Sequence, residues 1–401
     1  MSVQELLKII NSKPLVKNLS VYLKGQHLFA SMKIVSIVSG TSADGLTIGN
    51  IQFNGYNLKT TYKILKGYTI PYSNGLRSRL LKAAEKTKTT SEEISKLNWD
   101  LGLQIADSVI SLDMEYDLIS YSGHTIYHGP SIKRPQNATL QIGEISILVS
   151  RTGKTAISDY RVTDMAYDGL GAPLIAISDY ILFRDSGILT LNIGGIANIT
   201  YLGEDGPIAF DTGPGNMLID QAMYRFYGAR FDENGTVASR GKIVEEVLSF
   251  LMSDRYIKLD PPKNSGREYY GIEYFKKILK RFPSISKEDL VRTITRFTAE
   301  SIYDQANRYL PDAPKEVIVG GGGSKNKVIM SDLEELFTCR VSTFSSRGID
   351  DELRESLGFA ILANQTVHNA PGRVTDVGTM SGPVLGKITP GRNFEELFSL
   401  K

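Results

Sequence analysis

The chain of 401 residues is longer than one hydrophobic core usually serves, so two domains are expected, and 41% apolar residues suffice to bury both. A net charge of +2 with acids and bases interspersed implies neither nucleic acid nor an acidic membrane surface as a partner, and no partner of either kind is expected. A single cysteine, Cys339, excludes a disulfide framework and a zinc spacing and fits a reducing cytoplasm, while no run of about 18 apolar residues offers a membrane span.

Residues 1–31 carry Leu6, Leu7, Ile9 and Ile10 at helical spacing, without the apolar stretch and cleavage site of an export signal, and are expected to form an accessory helical extension or to reflect an upstream start. From Met32 a strand, Lys33–Val38, enters Gly40-Thr41-Ser42-Ala43-Asp44-Gly45, and two further strands follow at Leu46–Phe53 and Leu58–Leu65, joined by a turn at Asn54-Gly55. A Walker phosphate loop needs a lysine after its glycines, and a dinucleotide fingerprint needs GxGxxG opening a helix; Gly40–Gly45 is neither. Its backbone N–H groups and the Thr41 and Ser42 hydroxyls can still hold phosphate oxygens, with Asp44 either orienting a metal-bound water or satisfied within the turn.

Leu76–Leu112 reads as a helix pair with a cap at Ser91 and an apolar stripe of Ile94, Leu97, Leu101, Leu103, Ile105 and Val109. Asp117–Ser120 reads as a buried strand that ends in Tyr121-Ser122-Gly123-His124-Thr125, with His128 close behind. No acid or cysteine accompanies these histidines, so a substrate-facing or structural role is favoured over metal ligation. Short strands at Thr139–Ile142 and Thr155–Ile157 flank a helix at Glu144–Arg151. In Ser158-Asp159-Tyr160-Arg161-Val162-Thr163-Asp164 two carboxylates bracket an arginine. Gly169, Gly171 and Pro173 follow closely, so Asp164 is expected on a loop, with Arg161 available to hold an anionic or hydroxylated substrate.

The stretch Leu189–Asn216 carries the strongest local signal. An apolar strand from Ile188 to Ile193 runs into Gly194-Gly195, Ile196–Tyr201 returns, residues 203–207 turn tightly, and Pro207–Phe210 leads into Asp211-Thr212-Gly213-Pro214-Gly215-Asn216. Those glycines permit close approach of backbone to an anion, with an acid, a hydroxyl and an amide at the strand's exit. Met217–Tyr227 and Lys242–Met252 are expected helices. The proline-fixed loop at Pro261–Glu268 carries Lys263, Arg267 and Glu268, which suits either a closing contact over a ligand or simple solvent exposure. Ser286 caps a helix to Tyr309, and the strand Glu316–Val319 enters Gly320-Gly321-Gly322-Gly323-Ser324, bare backbone on which a nucleoside can rest. A last helix, Gly348–Thr366, holds Glu355 in its first turn, either complementing the helix dipole or serving near a metal or phosphate. The tail from Gly382 to Gly391 is expected to return to the first half.

Two strand meanders, each opening with a glycine loop, plus a late junction of strand and four glycines, describe a duplicated α/β fold that clamps a nucleotide. This resembles the sugar kinase, actin and Hsp70 superfamily, which implies two actin-like (ribonuclease H-like) domains with an interdomain nucleotide and substrate cleft. Its domains would be 32–165 with 371–401 returning, and 166–370. Within that superfamily, SGTSADGL, TLQIGE, RTGKTAISDYRVTDMAYDGLGAPL, LNIGGIANIT, FDTGPGNMLID, PPKNSGRE and GGGGSKN resemble, in the same order, the strings of anhydro-N-acetylmuramic acid kinases from Ile34 to Gly391.

The resemblance implies a cytoplasmic enzyme that uses ATP and Mg²⁺ to open the 1,6-anhydro bridge of a muramic acid sugar with water while O6 takes the γ-phosphoryl group; homodimers are common in that family. It places the general base on Asp164 and a second acid on Glu355. It implies ATP contacts at Gly40, Thr41, Ser42, Ala43, Asp44, Gly45, Leu46 and Thr47, at Asn192, Gly194, Gly195, Asp211, Gly213, Gly215 and Asn216, and at Gly321, Gly322 and Gly323. Sugar contacts would fall on His124, Thr125, Arg161, Gly171 and Ala172, and Asp211 and Asp44 would place Mg²⁺-bound water and phosphate. Departures surround the expected sugar pocket: Thr47 stands where an acid is usual, His124 replaces the glutamine of SHGQT, and Leu170 replaces another glutamine. A kinase for another anhydrosugar such as levoglucosan, or for a sugar-like alcohol, is the alternative within enzymes. A non-catalytic nucleotide clamp is the alternative outside them, against which both acids count. A hydrolase of paired carboxylates would not need three glycine loops.

Overall fold

The structure is a computed structural model that describes residues 31–84, 89–129, 138–183, 187–204, 206–261, 263, 265–373 and 382–398. The expected extension over 1–31 lies outside the described residues, Ser31 excepted. The chain divides into two compact units: Met1–Gly171 with Glu355–Gly372 and Pro383–Lys401, and Ala172–Arg354 with Arg373–Gly382.

In the first unit, strands β1 (Met32–Ser39), β2 (Gly45–Asn54) and β3 (Thr61–Pro71) form an antiparallel meander. Strands β4 (Leu118–Gly129) and β6 (Ala156–Ser158) extend it in parallel on the β1 side, and β5 (Ala138–Ile142) pairs with the far end of β4. Central β1 is apolar on both faces because both are covered, whereas β3 at the edge is half exposed. Helices α1 (Asn74–Ala84), α2 (Ser91–Ser111) and α3 (Ile145–Thr152) cover one face, with Leu97, Leu101, Ile105 and Val109 of α2 buried at helical spacing. The cap of α2 falls on Thr90, one residue before the expected Ser91, in a capping box with Glu93. The third strand starts at Thr61 rather than Leu58, because Asn57–Lys59 form a 3₁₀ turn closed by Thr60 onto the Asn57 carbonyl.

Asp164 is not on a loop. Residues Tyr160–Ala166 form the short helix α4, and the glycines that argued for a loop lie beyond its last turn and close it, with the Gly169 N–H donating to the Asp164 carbonyl at 2.9 Å. Tyr121–His128 likewise remain in the interior of β4, because β5 pairs from His124 onward.

The second unit repeats the plan. Strands β7 (Ile188–Ile193), β8 (Ile196–Gly203) and β9 (Gly206–Pro214) form the meander, and β10 (Glu316–Gly320) and β11 (Arg340–Thr343) extend it in parallel. The order β9-β8-β7-β10-β11 matches β3-β2-β1-β4-β6, so each unit is a ribonuclease H-like α/β domain. Helices α5 (Ala176–Phe183), α6 (Met217–Tyr227), α7 (Glu245–Met252), α8 (Ile272–Arg281), α9 (Lys287–Tyr309) and α10 (Lys327–Leu336) complete the second unit, whose core gathers around the buried face of α9.

The sequence places the last helix, α11 (Arg354–Val367), with 166–370, but its bonds run to the first unit. Ser356 Oγ donates to the Ser36 carbonyl, Asn364 Nδ2 to the Gly55 carbonyl and Gln365 Nε2 to Asn57, while His368 stacks on Tyr56. Strand β12 (Lys387–Thr389) pairs antiparallel with β6 of the first unit.

Candidate active site

In the second unit three chain reversals meet at the ends of β7, β9 and β10. The Gly194-Gly195 and Gly213–Asn216 turns interlock: Gly215 N–H donates to the Gly195 carbonyl at 2.9 Å, Asn216 N–H to the Gly194 carbonyl at 2.7 Å and Met217 N–H to the Gly195 carbonyl at 3.1 Å. A Cβ on Gly215 would fall 2.3 Å from the Gly194 carbonyl oxygen, so only glycine fits there. Asn216 Nδ2 donates to the Ile193 carbonyl, and Thr298 Oγ1 to the Gly215 carbonyl at 2.9 Å. Gly321, at φ 78°, lies against Asn192 and Ile193, while exposed Gly322 meets nothing closer than Asn216 Nδ2 at 3.5 Å from its virtual Cβ. The fold thus brings together Asn192, Gly194, Gly195, Gly215, Asn216, Gly321, Gly322 and Gly323. The Gly194, Gly215, Asn216 and Met217 amides are spent within the turns, so what this junction offers an anion is close approach of bare glycine backbone around Gly321 and Gly322.

Gly213 stands apart from that junction, its virtual Cβ facing Ile257 and Ser301 in the core. Asp211, further back along β9, is buried, and its Oδ2 accepts the Ser265 N–H at 3.0 Å. Register places Asn192, Asn198 and Asp211 opposite one another on β7, β8 and β9, so the three side chains form one polar row on one face. The motif reading omits Asn198, although Asn192 and Asn198, each three residues from Gly195, signal it. Among the described residues no group of three or more histidine, cysteine, aspartate or glutamate side chains is placed to hold a metal. One buried carboxylate still fits Mg²⁺, which keeps waters and binds largely through substrate phosphates.

Lys263 is not at a solvent-facing closing contact. It is buried, with its ammonium donating to the Tyr256 carbonyl at 3.2 Å and to Gln305 Oε1, and lying over the Tyr256 and Tyr309 rings. Burial pulls its pKa down to about 8. The side chains of Arg267 and Glu268 lie outside what is described.

In the first unit, the Gly40–Asp44 turn is closed by the Ala43 N–H on the Gly40 carbonyl at 3.0 Å, and it exposes Thr41 and Ser42. Ala43 and Leu46 pack in the core, Gly45 lies flat against Ile70, and Thr47 is half-buried in β2. Asp44 pairs with Arg77 at 3.3 Å. His124 is buried, its Nδ1 bonded to Ser39 Oγ at 2.7 Å, and Ser39 Oγ also bonds Tyr72 OH at 2.6 Å. Burial lowers the His124 pKa to about 4, so the ring is neutral at ordinary pH. Thr125 accepts from Gln141 Nε2 on the neighbouring β5. His128 Nε2 is buried without a partner among the described residues, and burial with Arg161 nearby also lowers that pKa to about 4.

The backbone of one residue, Gly171, links the acid and the base of α4. Gly171 N–H donates to Asp164 Oδ2 at 2.8 Å, while Arg161 Nη1 donates to the Gly171 carbonyl at 2.6 Å. Arg161 and Asp164, three residues apart on one helical turn, therefore share a face, with the carboxylate only 5% exposed. Ala172 opens the second unit, and Glu355 is exposed in the first turn of α11.

A family model described as anhydro-N-acetylmuramic acid kinase matches residues 32–391. Curated anhydro-N-acetylmuramic acid kinases from Bacillus cereus (strain 03BB102) and Bacillus anthracis (strain A0248) are each 37% identical over 380 residues, covering 89% of this chain and 99% of theirs. The relative from Bacillus thuringiensis (strain Al Hakam) is likewise 37% identical, covering 89% of this chain and 98% of its own.

Proposed function

The chain belongs to the anhydro-N-acetylmuramic acid kinase family, and from that premise we propose that it opens the 1,6-anhydro bridge of anhydro-N-acetylmuramic acid and phosphorylates O6. As a kinase it uses ATP. Water attacks C1 and gives up a proton to Asp164, the C1–O6 bond breaks, and O6 forms a bond to the γ-phosphorus as the bond to the ADP oxygen breaks. The products are N-acetylmuramic acid 6-phosphate and ADP, and the proton on Asp164 returns to solvent.

The observation that carries this reading is the Gly171 backbone, whose N–H and C=O hold the Asp164 carboxylate and the Arg161 guanidinium on one turn of α4. A general base must be buried enough to exclude bulk water and fixed enough to face one proton, and Asp164 meets both demands. Arg161 is suited to hold the sugar's carboxylate. Glu355 is the second acid of the proposal. Phosphates are assigned to the interlocked turns of the second unit and to the amides and hydroxyls of Gly40–Asp44. Asp211 would hold the Mg²⁺, which when bound neutralises charge on the transferring group. A cytoplasmic location and a homodimeric state complete the proposal; light scattering on the purified chain tests the latter.

The test is incubation with Mg·ATP and 1,6-anhydro-N-acetylmuramic acid, followed by product analysis. A 6-phosphorylated reducing sugar is expected. Levoglucosan phosphorylated in preference to it would reassign the substrate. Asp164→Asn, which can still accept the Gly171 N–H, should lower kcat by about 10³-fold or more while leaving nucleotide affinity unchanged. Turnover within about tenfold of wild type would remove Asp164 as the base.

A further inference from the structure

Charges are costly to bury, so an ion pair sunk beneath a ligand junction calls for a reason. Asp179 of α5 and Arg354 at the start of α11 form such a pair, 2% and 7% exposed, with Arg354 Nη2 donating to Asp179 Oδ2 at 2.7 Å. Thr190 Oγ1 donates to the same oxygen at 2.6 Å, and the guanidinium lies 4.0 Å from the Phe344 ring centre. Asp179 offsets the charge and the ring shields the face, so this arginine is badly placed to serve as a phosphate ligand itself. Its other arm, Nη1, donates to Asn192 Oδ1 at 3.4 Å.

Asn192 is the register partner of Gly320, and a Cβ on Gly321 would lie 2.8 Å from its Oδ1. A carboxamide has one acceptor end and one donor end, so a donor seated on Oδ1 fixes which way the amide faces. Without that donor the group can flip and offer a carbonyl oxygen, which repels phosphate.

We propose that Arg354, held by Asp179 and Thr190, is a positioning residue that locks the Asn192 carboxamide with its NH₂ group presented to a nucleotide phosphate at the Asn192–Gly321 junction. This rests on the nucleotide reading of that junction. Arg354→Lys keeps the charge but loses the fork that spans Asp179 and Asn192.

The experiment is calorimetric titration of a non-hydrolysable ATP analogue into the full chain as wild type, Asn192→Ala, Arg354→Lys and the double variant, with KM for the sugar alongside. Asn192→Ala should weaken nucleotide binding about tenfold or more, the scale of a hydrogen bond to a charged group. Arg354→Lys should weaken it comparably, and the double variant should bind no worse than Asn192→Ala, because the arginine acts through the asparagine. The sugar KM should not move. Independent, multiplying losses, or an Arg354→Lys variant that binds as wild type, overturn the positioning role while leaving the nucleotide site intact. An Asn192→Ala variant that binds as wild type removes the nucleotide assignment and the proposal with it. Should Arg354→Lys not be recovered folded, Thr190→Val, which removes the hydroxyl from Asp179 together with its longer bond to the Thr200 carbonyl, carries the same cycle with the same criteria.

Discussion

Glycines at the nucleotide junction answer two different demands, and substituting them one at a time separates the two. Alanine at Gly215 sets a methyl group 2.3 Å from the Gly194 carbonyl oxygen and 3.1 Å from Ile196. To admit it the two turns must part, which strains the amide bonds from Gly215, Asn216 and Met217 at 2.9, 2.7 and 3.1 Å. At about 1 kcal/mol net for each bond, the loss comes to about 3 kcal/mol, the upper end of ordinary overpacking. For a unit of this size that lowers Tm by roughly 6–12 °C. Gly322→Ala meets only the Asn216 amide at 3.5 Å, an ordinary contact, and Gly322 does not have a left-handed φ. Its stability should stay within about 0.5 kcal/mol of wild type. The added methyl stands on open backbone where phosphate is assigned, so affinity for an ATP analogue should fall about tenfold or more, the worth of one charge-assisted contact. Thermal melts with and without nucleotide, joined to a titration, read both quantities. A Gly215→Ala variant that melts with wild type, or a Gly322→Ala variant that binds nucleotide normally, would refute the division.

Two further substitutions separate structural from chemical roles in the first unit. The Asp44–Arg77 pair is partly exposed on both sides, so Asp44→Asn should cost at most about 0.5 kcal/mol in a denaturant melt; a loss of ATP turnover well beyond that would assign the carboxylate to phosphate handling, and unchanged turnover would leave it a turn acid. His124 has a folded-state pKa of about 4 against 6.5 unfolded, so between those values the unfolded chain binds a proton that the folded chain does not. Stability is therefore present above pH 6.5 and is lost on acidification through that window, by about 2 kcal/mol between pH 7 and pH 5 from this group. His124→Gln should flatten that part of the Tm-against-pH curve, and an unchanged slope would place the titration elsewhere.

Most strand-to-glycine junctions are legible because glycine and proline punctuate the chain where backbone must turn, and Gly40, Gly194, Gly215 and Gly321 all sit at such ends. The errors have a common cause. Local glycine content puts Asp164 on a loop, but the glycines terminate α4 and fold back onto it, a relation that depends on hydrogen bonds rather than on composition. His124 looks like a strand-exit residue, yet β5 pairs with it from across a gap in sequence and carries β4 on to Gly129. Lys263 carries a charge that favours the surface, and its burial is made tolerable by the distant Gln305, two carbonyls and the Tyr256 and Tyr309 rings. The Arg354–Asp179 pair joins residues 175 positions apart, beyond any local pattern. Asn198 differs, because two asparagines at mirrored positions about a glycine turn must share a face of a hairpin, and strand alternation alone would have placed it beside Asn192. What local sequence conveys is where backbone is free to approach a ligand; which side chains aim there is set by pairings between distant segments.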